Sequence, residues 1–303
     1  MENKSLIKRI KDILVKIFPE NTSVYAKAYL WGMRIDSVKR LKKRKKLKLD
    51  YHLSHHCNLN CSGCEHFSSI APVKFPDILS FESDFKRLAE LFDKEVEIIY
   101  LIGGEPLLNP NINRILNTVR TYFKPPIPIY LLTNGILLPK QNAEFWEICK
   151  KNDIFVSITK YPIKLDFDKI QKTANEYGVA LEFFGSSGYR TKTMRKKLLD
   201  LSGKQNIKQN FKLCYMPNEC IQLYNGKIYT CATVPYIDFF NEKFEQDLDV
   251  SPDDYIDIYK AKNRDEIFEF LNKPIPFCRY CDIRNTRHGI KWGITKKEMS
   301  EWV

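Results

Sequence analysis

The stretch SHHCNLNCSGCEHFS, residues 54–68, places Cys57, Cys61 and Cys64 within eight residues. It follows directly on LKLDYHL, whose pattern predicts a strand, so the three cysteines lie in the loop at the carboxyl end of that strand. Parallel α/β folds bind their ligands at this rim of the sheet. The loop is therefore the first candidate site of the chain.

Two kinds of metal centre suit three thiols at this spacing. A zinc ion would need a fourth ligand from a nearby histidine, whereas a [4Fe–4S] cluster would bind three irons to the thiolates and leave the fourth iron open. Structural zinc sites usually pair two short knuckles, and no matching knuckle lies close to this loop. The spacing favours the cluster, and zinc is the alternative. The histidines available to zinc are His55, His56 and His66.

The composition is typical of a folded globular protein, since 44% of the 303 residues are hydrophobic and 28% are charged. The chain has no run of about 18 apolar residues. Its opening, MENKSLIKRIKDILVKIF, lacks the uninterrupted apolar core of a secretory signal. We therefore expect a cytoplasmic protein, whose nine cysteines bind metal or take part in chemistry rather than form disulfides.

The net charge of +12 is concentrated at the amino-terminal end. Residues 1–48 hold fifteen Lys or Arg against four acids, and their apolar residues recur at helical spacing. This pattern predicts a basic helical arm. Two interpretations stay open: a capping helix pair with a solvated charged face, or a surface that meets an anionic membrane, a phosphate-bearing partner or RNA.

From residue 49 strand-like and helix-like stretches alternate. The strand-like ones are LKLDYHL, VEIIYLI, IPIYLLT, IFVSIT and VALEFF, and we expect them to be apolar on both faces. Strict alternation predicts an α/β fold of parallel strands with right-handed crossovers, as an open sheet or a barrel. The alternation ends near residue 185. We predict a basic arm over 1–48, an α/β core over 49–205 and a smaller domain over 206–303.

The second predicted strand ends in a second motif. In IIYLIGGEPLLNP, the residues Gly103, Gly104 and Glu105 follow the strand and so lie on the same rim as the cysteines. Two glycines let the backbone approach a ligand closely, and the carboxylate can accept hydrogen bonds from an ammonium group. The motif alone is also compatible with a tight turn, but its position after the cysteine loop favours a shared site.

Together the two motifs resemble the radical SAM (S-adenosylmethionine) enzymes, over roughly residues 49–185. The resemblance implies a partial (β/α)6 barrel and a [4Fe–4S] cluster on Cys57, Cys61 and Cys64, with SAM bound to the open iron. It implies reductive cleavage of SAM to a 5′-deoxyadenosyl radical that abstracts hydrogen from a substrate. It also implies an electron donor such as a flavodoxin or a ferredoxin.

The resemblance implies further residues of the SAM site. Those that match the family's motifs are Gly103, Gly104, Glu105, Thr133, Asn134 and Ser157. Two positions depart from the pattern. The residue before the third cysteine is usually aromatic and is Gly63 here, with His66 or Phe67 as possible substitutes. The acid often found after the fourth-strand serine is absent, because Thr159 and Lys160 stand there.

Five further cysteines lie between residues 214 and 281. The segment IQLYNGKIYTC predicts a hairpin around Asn225–Gly226, and FCRYCDIR supplies a closely spaced cysteine pair. Paired thiols at two separated places are the usual layout of a metal site, for zinc or for iron–sulfur. Cys220 has three open interpretations, as a buried thiol, a competing ligand or a group near the substrate, and Cys149 is expected to be a core residue of an amphipathic helix.

This layout resembles the Twitch domain, the shortened form of the SPASM domain that follows some radical SAM cores. The resemblance implies a small α+β iron–sulfur domain with one auxiliary [4Fe–4S] cluster. A single zinc ion in the same thiols is the alternative. The implied ligands are Cys214, Cys231, Cys278 and Cys281.

Three functions stay open, of which the first two follow from these resemblances. The first is a radical SAM enzyme that oxidises a sugar-like or nucleotide-sugar substrate. The second is a radical SAM enzyme that modifies a peptide. The third is a non-catalytic, zinc-stabilised protein that binds RNA or a membrane through residues 1–48. No catalytic side chain is assigned, and the arm leaves a peripheral membrane location open.

Overall fold

The computed structural model describes residues 46–92, 95–184 and 193–303. The predicted basic arm, residues 1–48, lies outside the described residues except for its last three. The strands are β1 Leu47–His52, β2 Val96–Ile102, β3 Ile129–Thr133, β4 Ile154–Ile158, β5 Leu181–Phe183, β6 Thr193–Leu199, β7 Gln222–Tyr224, β8 Lys227–Tyr229, β9 Tyr255–Asp257 and β10 Cys281–Lys291. The α-helices are α1 Ile78–Phe92, α2 Ile112–Tyr122, α3 Ala143–Lys151, α4 Phe167–Glu176, α5 Ile207–Leu213, α6 Met216–Glu219, α7 Ile237–Phe244 and α8 Arg264–Leu271.

The main sheet has the order β5-β4-β3-β2-β1-β7-β8-β9. Strands β1 to β5 pair in parallel, and β7 pairs in parallel with the other edge of β1. The parallel α/β core expected for a partial radical SAM barrel is therefore confirmed. The strand beyond β1 comes from the predicted C-terminal domain, so the sheet continues across the predicted boundary at residue 205.

The two faces of β1 differ in character. Leu47, Leu49 and Tyr51 are buried in a core that also contains Phe81 and Phe85 of α1. Side chains alternate along a strand, so the opposite face of β1 carries Lys48, Asp50 and His52. The expectation that the strands are apolar on both faces is wrong for β1. Its inner face turns away from the helices and carries polar groups toward the inside of the curved sheet.

The predicted hairpin is present. Strands β7 and β8 pair antiparallel, and the two residues between them, Asn225 and Gly226, have φ values of 48° and 70°. Positive φ at both positions is the signature of a type I′ turn, which the Asn-Gly pair favours. The sequence therefore identified both the turn and its geometry.

The C-terminal part has a core of its own. Strands β6 and β10 form a separate antiparallel pair. Phe240, Tyr236 and Trp302 are buried in a second cluster of apolar side chains. Phe67, which follows the cysteine loop, belongs to this second cluster. Because of that side chain, the first cysteine loop is packed between the parallel sheet and the C-terminal part.

Candidate functional site: two cysteine centres

The first cysteine loop surrounds its sulfur atoms with N–H donors. The backbone N–H of Leu59 donates to Cys57 Sγ at 3.4 Å, and the indole N–H of Trp292 donates to Cys61 Sγ at 3.1 Å. Backbone N–H groups of His66 and Ser68 donate to the sulfur of Cys64. Donors of this kind stabilise thiolates and are a means of tuning iron–sulfur centres.

As free thiols these cysteines would be neutral. Burial raises the pKa of Cys57 to about 12 and also raises the pKa of Cys64, with smaller contributions from the neighbouring thiolates. The three sulfurs are close enough to influence one another's ionisation and that of Tyr161. A metal centre that binds thiolates would therefore have to displace their protons. Among the described residues, no group of three or more His, Cys, Asp or Glu is spaced to hold a single metal ion.

The glycine motif is tied to the cysteine loop through its backbone. The N–H of Gly104 donates to the carbonyl of Ser54 at 2.8 Å, and the N–H of Glu105 donates to that of His56 at 3.1 Å. A Cβ on Gly104 would lie 2.1 Å from the His56 carbonyl oxygen, so only glycine fits there. The two motifs of the sequence therefore form one rim.

Glu105 is the buried acid of this rim. It is fully buried, and burial raises its pKa to about 7 against the pull of its hydrogen bonds. Its Oε1 accepts from the hydroxyl of Thr133 at 2.6 Å and from the N–H of Leu107 at 3.1 Å. Its Oε2 accepts from the N–H of Asn134 at 2.9 Å and keeps lone pairs free for a further donor.

Asn134 joins this acid to the cysteines. Its side-chain amide donates to Asn58 Oδ1 at 2.7 Å and lies 3.8 Å from Cys57 Sγ. Ser157 lies two strands away from Glu105 on β4, where its hydroxyl contacts Glu182 Oε1 at 3.3 Å. Six residues were predicted to belong to the SAM site. Ser157 lies apart from the other five, which the structure brings together: Gly103, Gly104, Glu105, Thr133 and Asn134.

The histidines considered for zinc have other neighbours. His55 is buried and contacts the rings of Tyr224 and Phe239. His56 Nδ1 lies 3.1 Å from the hydroxyl of Ser54. The ring of His66 packs edge-on against that of His52 at 4.5 Å between centroids.

Four of the later cysteines line one cavity. The Twitch resemblance implies the same four as the ligands of a second metal site. The side chain of Lys197 also lines this cavity. Burial raises the pKa of Cys214 to about 12 and of Cys281 to about 11, although Lys197 acts in the opposite direction. The lining cysteines are Cys214, Cys231, Cys278 and Cys281.

The buried positive charge of Lys197 indicates what kind of group this cavity would hold. Its side chain is only 6% exposed, and its ammonium donates to the hydroxyl of Thr233. Burial lowers its pKa, but the sulfurs of Cys281, Cys231 and Cys214 outweigh burial and raise it. None of the ion pairs found within the described ranges involves Lys197. A buried cation needs a counter-charge: Glu65 acts on Lys197 electrostatically and supplies part of it, and a metal–thiolate centre, which carries a net negative charge, would supply more.

Asn210 holds the closely spaced cysteine pair in place. Its side-chain amide donates to the carbonyl of Cys278 at 2.9 Å and also to that of Cys281. The residue lies on α5, which ends directly before Cys214. One asparagine therefore connects three of the four lining cysteines.

Cys220 lies outside this set. It does not line the four-thiol cavity, and burial together with the nearby Asp50 and Glu65 raises its pKa. Cys149 is fully buried in the core on α3, as expected. Cys220 is therefore a half-buried thiol outside the four-thiol cavity. Its charged neighbours include Asp50 on β1 and Glu65, which follows Cys64.

A short polar bridge connects the two cysteine centres. The hydroxyl of Tyr215 donates to Glu65 Oε2 at 2.8 Å. Arg195 lies over the ring of Tyr215 at 3.4 Å and forms an ion pair with Glu65 Oε1 at 3.6 Å. Burial alone would raise the pKa of Glu65, but Arg195, Lys197 and the Tyr215 hydroxyl hold it below its usual range. Glu65 follows Cys64 and Tyr215 follows Cys214, so the bridge joins the residues next to a cysteine of each centre.

Comparison with known families assigns the part of the chain that contains the first cysteine loop to a family. The profile of the radical SAM superfamily matches residues 51–182. Those residues form a radical SAM superfamily domain. Members of this superfamily use a [4Fe–4S] cluster and SAM, and the cysteine loop and the Glu105 rim both lie within the radical SAM domain or at its start.

Individual relatives match parts of the chain. The antilisterial bacteriocin subtilosin biosynthesis protein AlbA of Bacillus subtilis is 30% identical over 179 residues, 52% of this chain and 38% of that protein. A GTP 3′,8-cyclase of a Sulfurovum species is 33% identical over 88 residues, 29% of this chain and 27% of that protein. The chain therefore spans well under half the length of each of these relatives.

Solved structures show more distant similarity. A crystal structure of BtrN with AdoMet and 2-DOIA aligns with 85% of this chain and 98% of that chain, at 14% identity and a TM-score of 0.47. Streptococcus suis SuiB bound to the precursor peptide SuiA aligns with 54% of this chain and 39% of that chain, at 20% identity and a TM-score of 0.38.

In the described part of the chain, no helix is both long and apolar enough to cross a bilayer. The predicted membrane, phosphate or RNA contact of residues 1–48 falls on residues that the structure does not describe, apart from the last three. Sequence reasoning missed Lys197, Glu65 and Tyr215, because single charged or aromatic residues in a strand or a short helix carry no local signal of their partners.

Protonation of Glu105 gives a testable pH dependence of the affinity for SAM. The pKa of about 7 for Glu105 means that its carboxyl becomes protonated below pH 7 and then cannot accept from an ammonium group. If SAM places its ammonium there, SAM affinity of the holoprotein should fall by up to about tenfold per pH unit below 7. Glu105→Gln should weaken SAM binding about 10- to 100-fold at pH 7.5, the equivalent of ~1.5–3 kcal/mol for a charge-assisted hydrogen bond.

Equilibrium binding of SAM between pH 5.5 and 7.5 measures both effects. Glu105→Gln should also give a flat pH profile over that range, since the titrating group is gone. Glu147→Gln serves as the matched control, because that acid is exposed on α3 and takes no part in the rim. A pH profile of Glu105→Gln that parallels the wild type would contradict the assignment.

Proposed function

We propose that the chain is a radical SAM enzyme that cleaves SAM reductively at a [4Fe–4S] cluster held by Cys57, Cys61 and Cys64. The observation that carries this proposal is the loop in which each of the three sulfurs accepts an N–H donor, hydrogen-bonded to the rim that bears buried Glu105. When bound, the cluster and SAM supply a 5′-deoxyadenosyl radical that abstracts a hydrogen atom from the substrate.

The residues of the rim have separate tasks in this proposal. Gly103 and Gly104 let the rim pack directly against the backbone of the cysteine loop, and Glu105 accepts from the ammonium group of SAM. Thr133 and the N–H of Asn134 fix the carboxylate of Glu105 in one orientation. Ser157, farther along the sheet, would reach the ribose, with Glu182 holding its hydroxyl.

For the second centre we propose an auxiliary [4Fe–4S] cluster of the Twitch type. The support is the cavity lined by Cys214, Cys231, Cys278 and Cys281, together with the buried cation of Lys197, whose positive charge favours a negatively charged centre beside it. Four thiolates leave no iron open, which favours electron transfer over substrate binding. A zinc ion would satisfy the same charge argument and is the alternative that metal analysis distinguishes.

The bridge between the centres supports an electron-transfer role. A covalent path runs from the Cys64 sulfur through the backbone to the Glu65 carboxylate. Another runs from the Cys214 sulfur to the Tyr215 hydroxyl. One hydrogen bond of 2.8 Å joins them. An electron released by a substrate radical could pass to the auxiliary cluster and return to the first cluster along this connection.

Tyr215→Phe tests the bridge. We expect the variant to keep both clusters, because the ring can still pack under Arg195, and to equilibrate electrons between them several times more slowly. Freeze-quenched electron paramagnetic resonance after partial photoreduction measures this rate. Tyr280→Phe, in the same C-terminal part, is the matched control and should behave as the wild type. An unchanged rate in Tyr215→Phe would refute the proposed path.

For the substrate we favour a sugar-like or nucleotide-sugar alcohol that is oxidised. On the sheet face opposite the helices, the rings of Tyr100 and Tyr130 lie 5.5 Å apart, and those of Tyr130 and Phe155 lie 4.9 Å apart. The carboxyl groups of Asp50 and Glu182 lie close to these rings. After burial, their negative charges contribute to raising the pKa of Tyr100. Flat rings with hydrogen-bonding groups at their edge suit a hydroxyl-rich ring.

Peptide modification is the second candidate. It is favoured by the Bacillus subtilis relative, a bacteriocin biosynthesis protein that matches 52% of this chain. A third reading, a non-catalytic zinc protein that binds RNA or a membrane, receives no support from the radical SAM match.

The electron donor would be a flavodoxin or a ferredoxin, and the basic arm remains a proposed docking surface for a phosphate-bearing partner.

One experiment distinguishes these candidates. Anaerobically reconstituted protein is incubated with SAM, dithionite and either a panel of sugar and nucleotide-sugar alcohols or a panel of peptides. Isotope transfer from deuterated substrate into 5′-deoxyadenosine then reports hydrogen abstraction. Deuterium from sugars supports the first candidate, deuterium from peptides supports the second, and the absence of 5′-deoxyadenosine with any substrate refutes the radical SAM proposal.

A further inference from the structure

The last residues of the chain lie across the first cysteine loop. We call residues 292–302, which follow β10, the C-terminal strap. Its backbone pairs with the loop: the N–H of Ser62 donates to the carbonyl of Gly293 at 2.9 Å, and the N–H of Thr295 donates to that of Asn60 at 2.9 Å. Between these contacts, Cys61 and Ile294 form an antiparallel β-bridge.

Side chains of the strap complete the contact. The carboxylate of Glu301 accepts from the N–H of Gly63 at 3.1 Å, and the indole N–H of Trp302 donates to the carbonyl of Cys64 at 2.9 Å. A Cβ on Gly63 would lie 2.7 Å from the backbone oxygen of Glu301. Glycine before the third cysteine is therefore required by the strap, since any side chain there would push it away.

Trp292 is the strap residue that reaches a sulfur. Its indole N–H donates to Cys61 Sγ at 3.1 Å, and its ring lies 5.9 Å from that of Tyr161 between centroids. Tyr161 is itself half-buried and interacts electrostatically with all three cysteines of the loop. An N–H donor stabilises a sulfur more strongly as its negative charge increases.

We propose that Trp292 is a positioning residue of the SAM-cleaving centre, whose hydrogen bond to Cys61 raises the reduction potential of the bound cluster. The inference rests on the proposed function. The step concerned is the uptake of one electron by the cluster from a low-potential donor of the flavodoxin or ferredoxin class. No bond to Trp292 forms or breaks, and its proton stays on the indole nitrogen.

The remaining strap contacts separate this role from simple packing. Two backbone hydrogen bonds, the Glu301 carboxylate and Trp302 hold the loop without using a sulfur atom. Removing the indole N–H should therefore change the electronic state of the centre and leave the loop in place. No local pattern in the sequence indicates this contact, because 231 residues separate its two partners.

Trp292→Phe in the reconstituted holoprotein tests the proposal. A redox titration follows the paramagnetic cluster signal that changes when SAM is added. We expect the midpoint potential of that signal to shift to a more negative value than in the wild type, with unchanged iron content. An unchanged potential with full cluster occupancy would overturn the inference and leave the proposed function intact.

Trp302→Phe is the matched control. It removes an indole N–H of the same strap, but one that is bonded to a carbonyl rather than to a sulfur. We expect it to lower thermal stability and to leave the midpoint potential unchanged. An equal shift in both variants would mean that strap packing controls the potential, and would overturn the role of the Trp292 donor.

A measurement on the unaltered protein covers the case in which Trp292→Phe fails to retain its cluster. Wild-type holoprotein with ¹⁵N-labelled indole nitrogens should show a ¹⁵N coupling to the SAM-responsive cluster in pulsed electron paramagnetic resonance. The absence of that coupling would refute the hydrogen bond. The absence of any cluster in the wild type would instead refute the proposed function.

Discussion

Cys61→Ala is expected to reduce the formation of 5′-deoxyadenosine from SAM to the level of a protein-free control. Without this sulfur the first cluster loses one of its three protein ligands, and the donor bond from Trp292 loses its acceptor. The iron content of reconstituted protein should fall from about eight to about four per chain, because the second centre is untouched. Liquid chromatography of 5′-deoxyadenosine and iron analysis measure the two effects.

Cys149→Ala is the control for this variant. Cys149 is fully buried on α3, away from both centres, and its replacement should cost some stability without loss of iron. Cys57→Ala and Cys64→Ala should behave as Cys61→Ala does. Undiminished SAM cleavage in any of the three would contradict the ligand assignment.

Cys278→Ala is expected to abolish substrate turnover while SAM is still cleaved in an uncoupled reaction. The variant removes one lining thiol of the second cavity, so its cluster should be lost and the iron content should again fall to about four per chain. The first centre keeps its own ligands and its strap. Product analysis with a substrate found by the panel experiment, alongside 5′-deoxyadenosine measurement, separates the two activities.

Cys220→Ala is the matched control in the same part of the chain. Since Cys220 does not line the four-thiol cavity, the variant should retain both clusters. Loss of the second cluster in Cys220→Ala would mean that this thiol is a ligand. Wild-type turnover in Cys278→Ala would show that the second centre takes no part in electron transfer.

The sequence predicted those features that local patterns encode. Strand β2 was predicted with its observed bounds, Val96–Ile102, because its apolar run is bounded by a charged segment and by the Gly103–Gly104 turn. The hairpin at Asn225–Gly226 follows from two residues that tolerate positive φ. The spacing of the cysteines, read through the family resemblances, selected the four thiols that line the second cavity.

Contacts between segments that are far apart in the chain could not be predicted from the sequence. Strand β7 joins β1 across a separation of about 170 residues, and nothing in its three residues specifies that neighbour. Lys197 lies in a strand whose composition is that of an exposed basic segment, yet its side chain is buried beside thiols. The polar face of β1, in contrast, has a local signal, because Lys48, Asp50 and His52 alternate with Leu47, Leu49 and Tyr51; the expectation of two apolar faces overlooked it.

The two centres are linked by the same residues that enclose them. The Glu65–Tyr215 hydrogen bond connects the loops, and the strap that begins at Trp292 comes from the end of the C-terminal part. Through Phe67, the first loop also contributes to the C-terminal core. Variants of Tyr215 and Trp292 are therefore expected to affect the first centre although both residues lie far from it in sequence.

Native mass spectrometry of the anaerobically purified wild-type chain distinguishes iron–sulfur clusters from zinc. We expect a mass increase that corresponds to two [4Fe–4S] clusters, one of which is lost in Cys61→Ala and the other in Cys278→Ala. A mass increase that corresponds to zinc at the Cys57–Cys61–Cys64 loop, without iron and sulfide, would contradict this expectation.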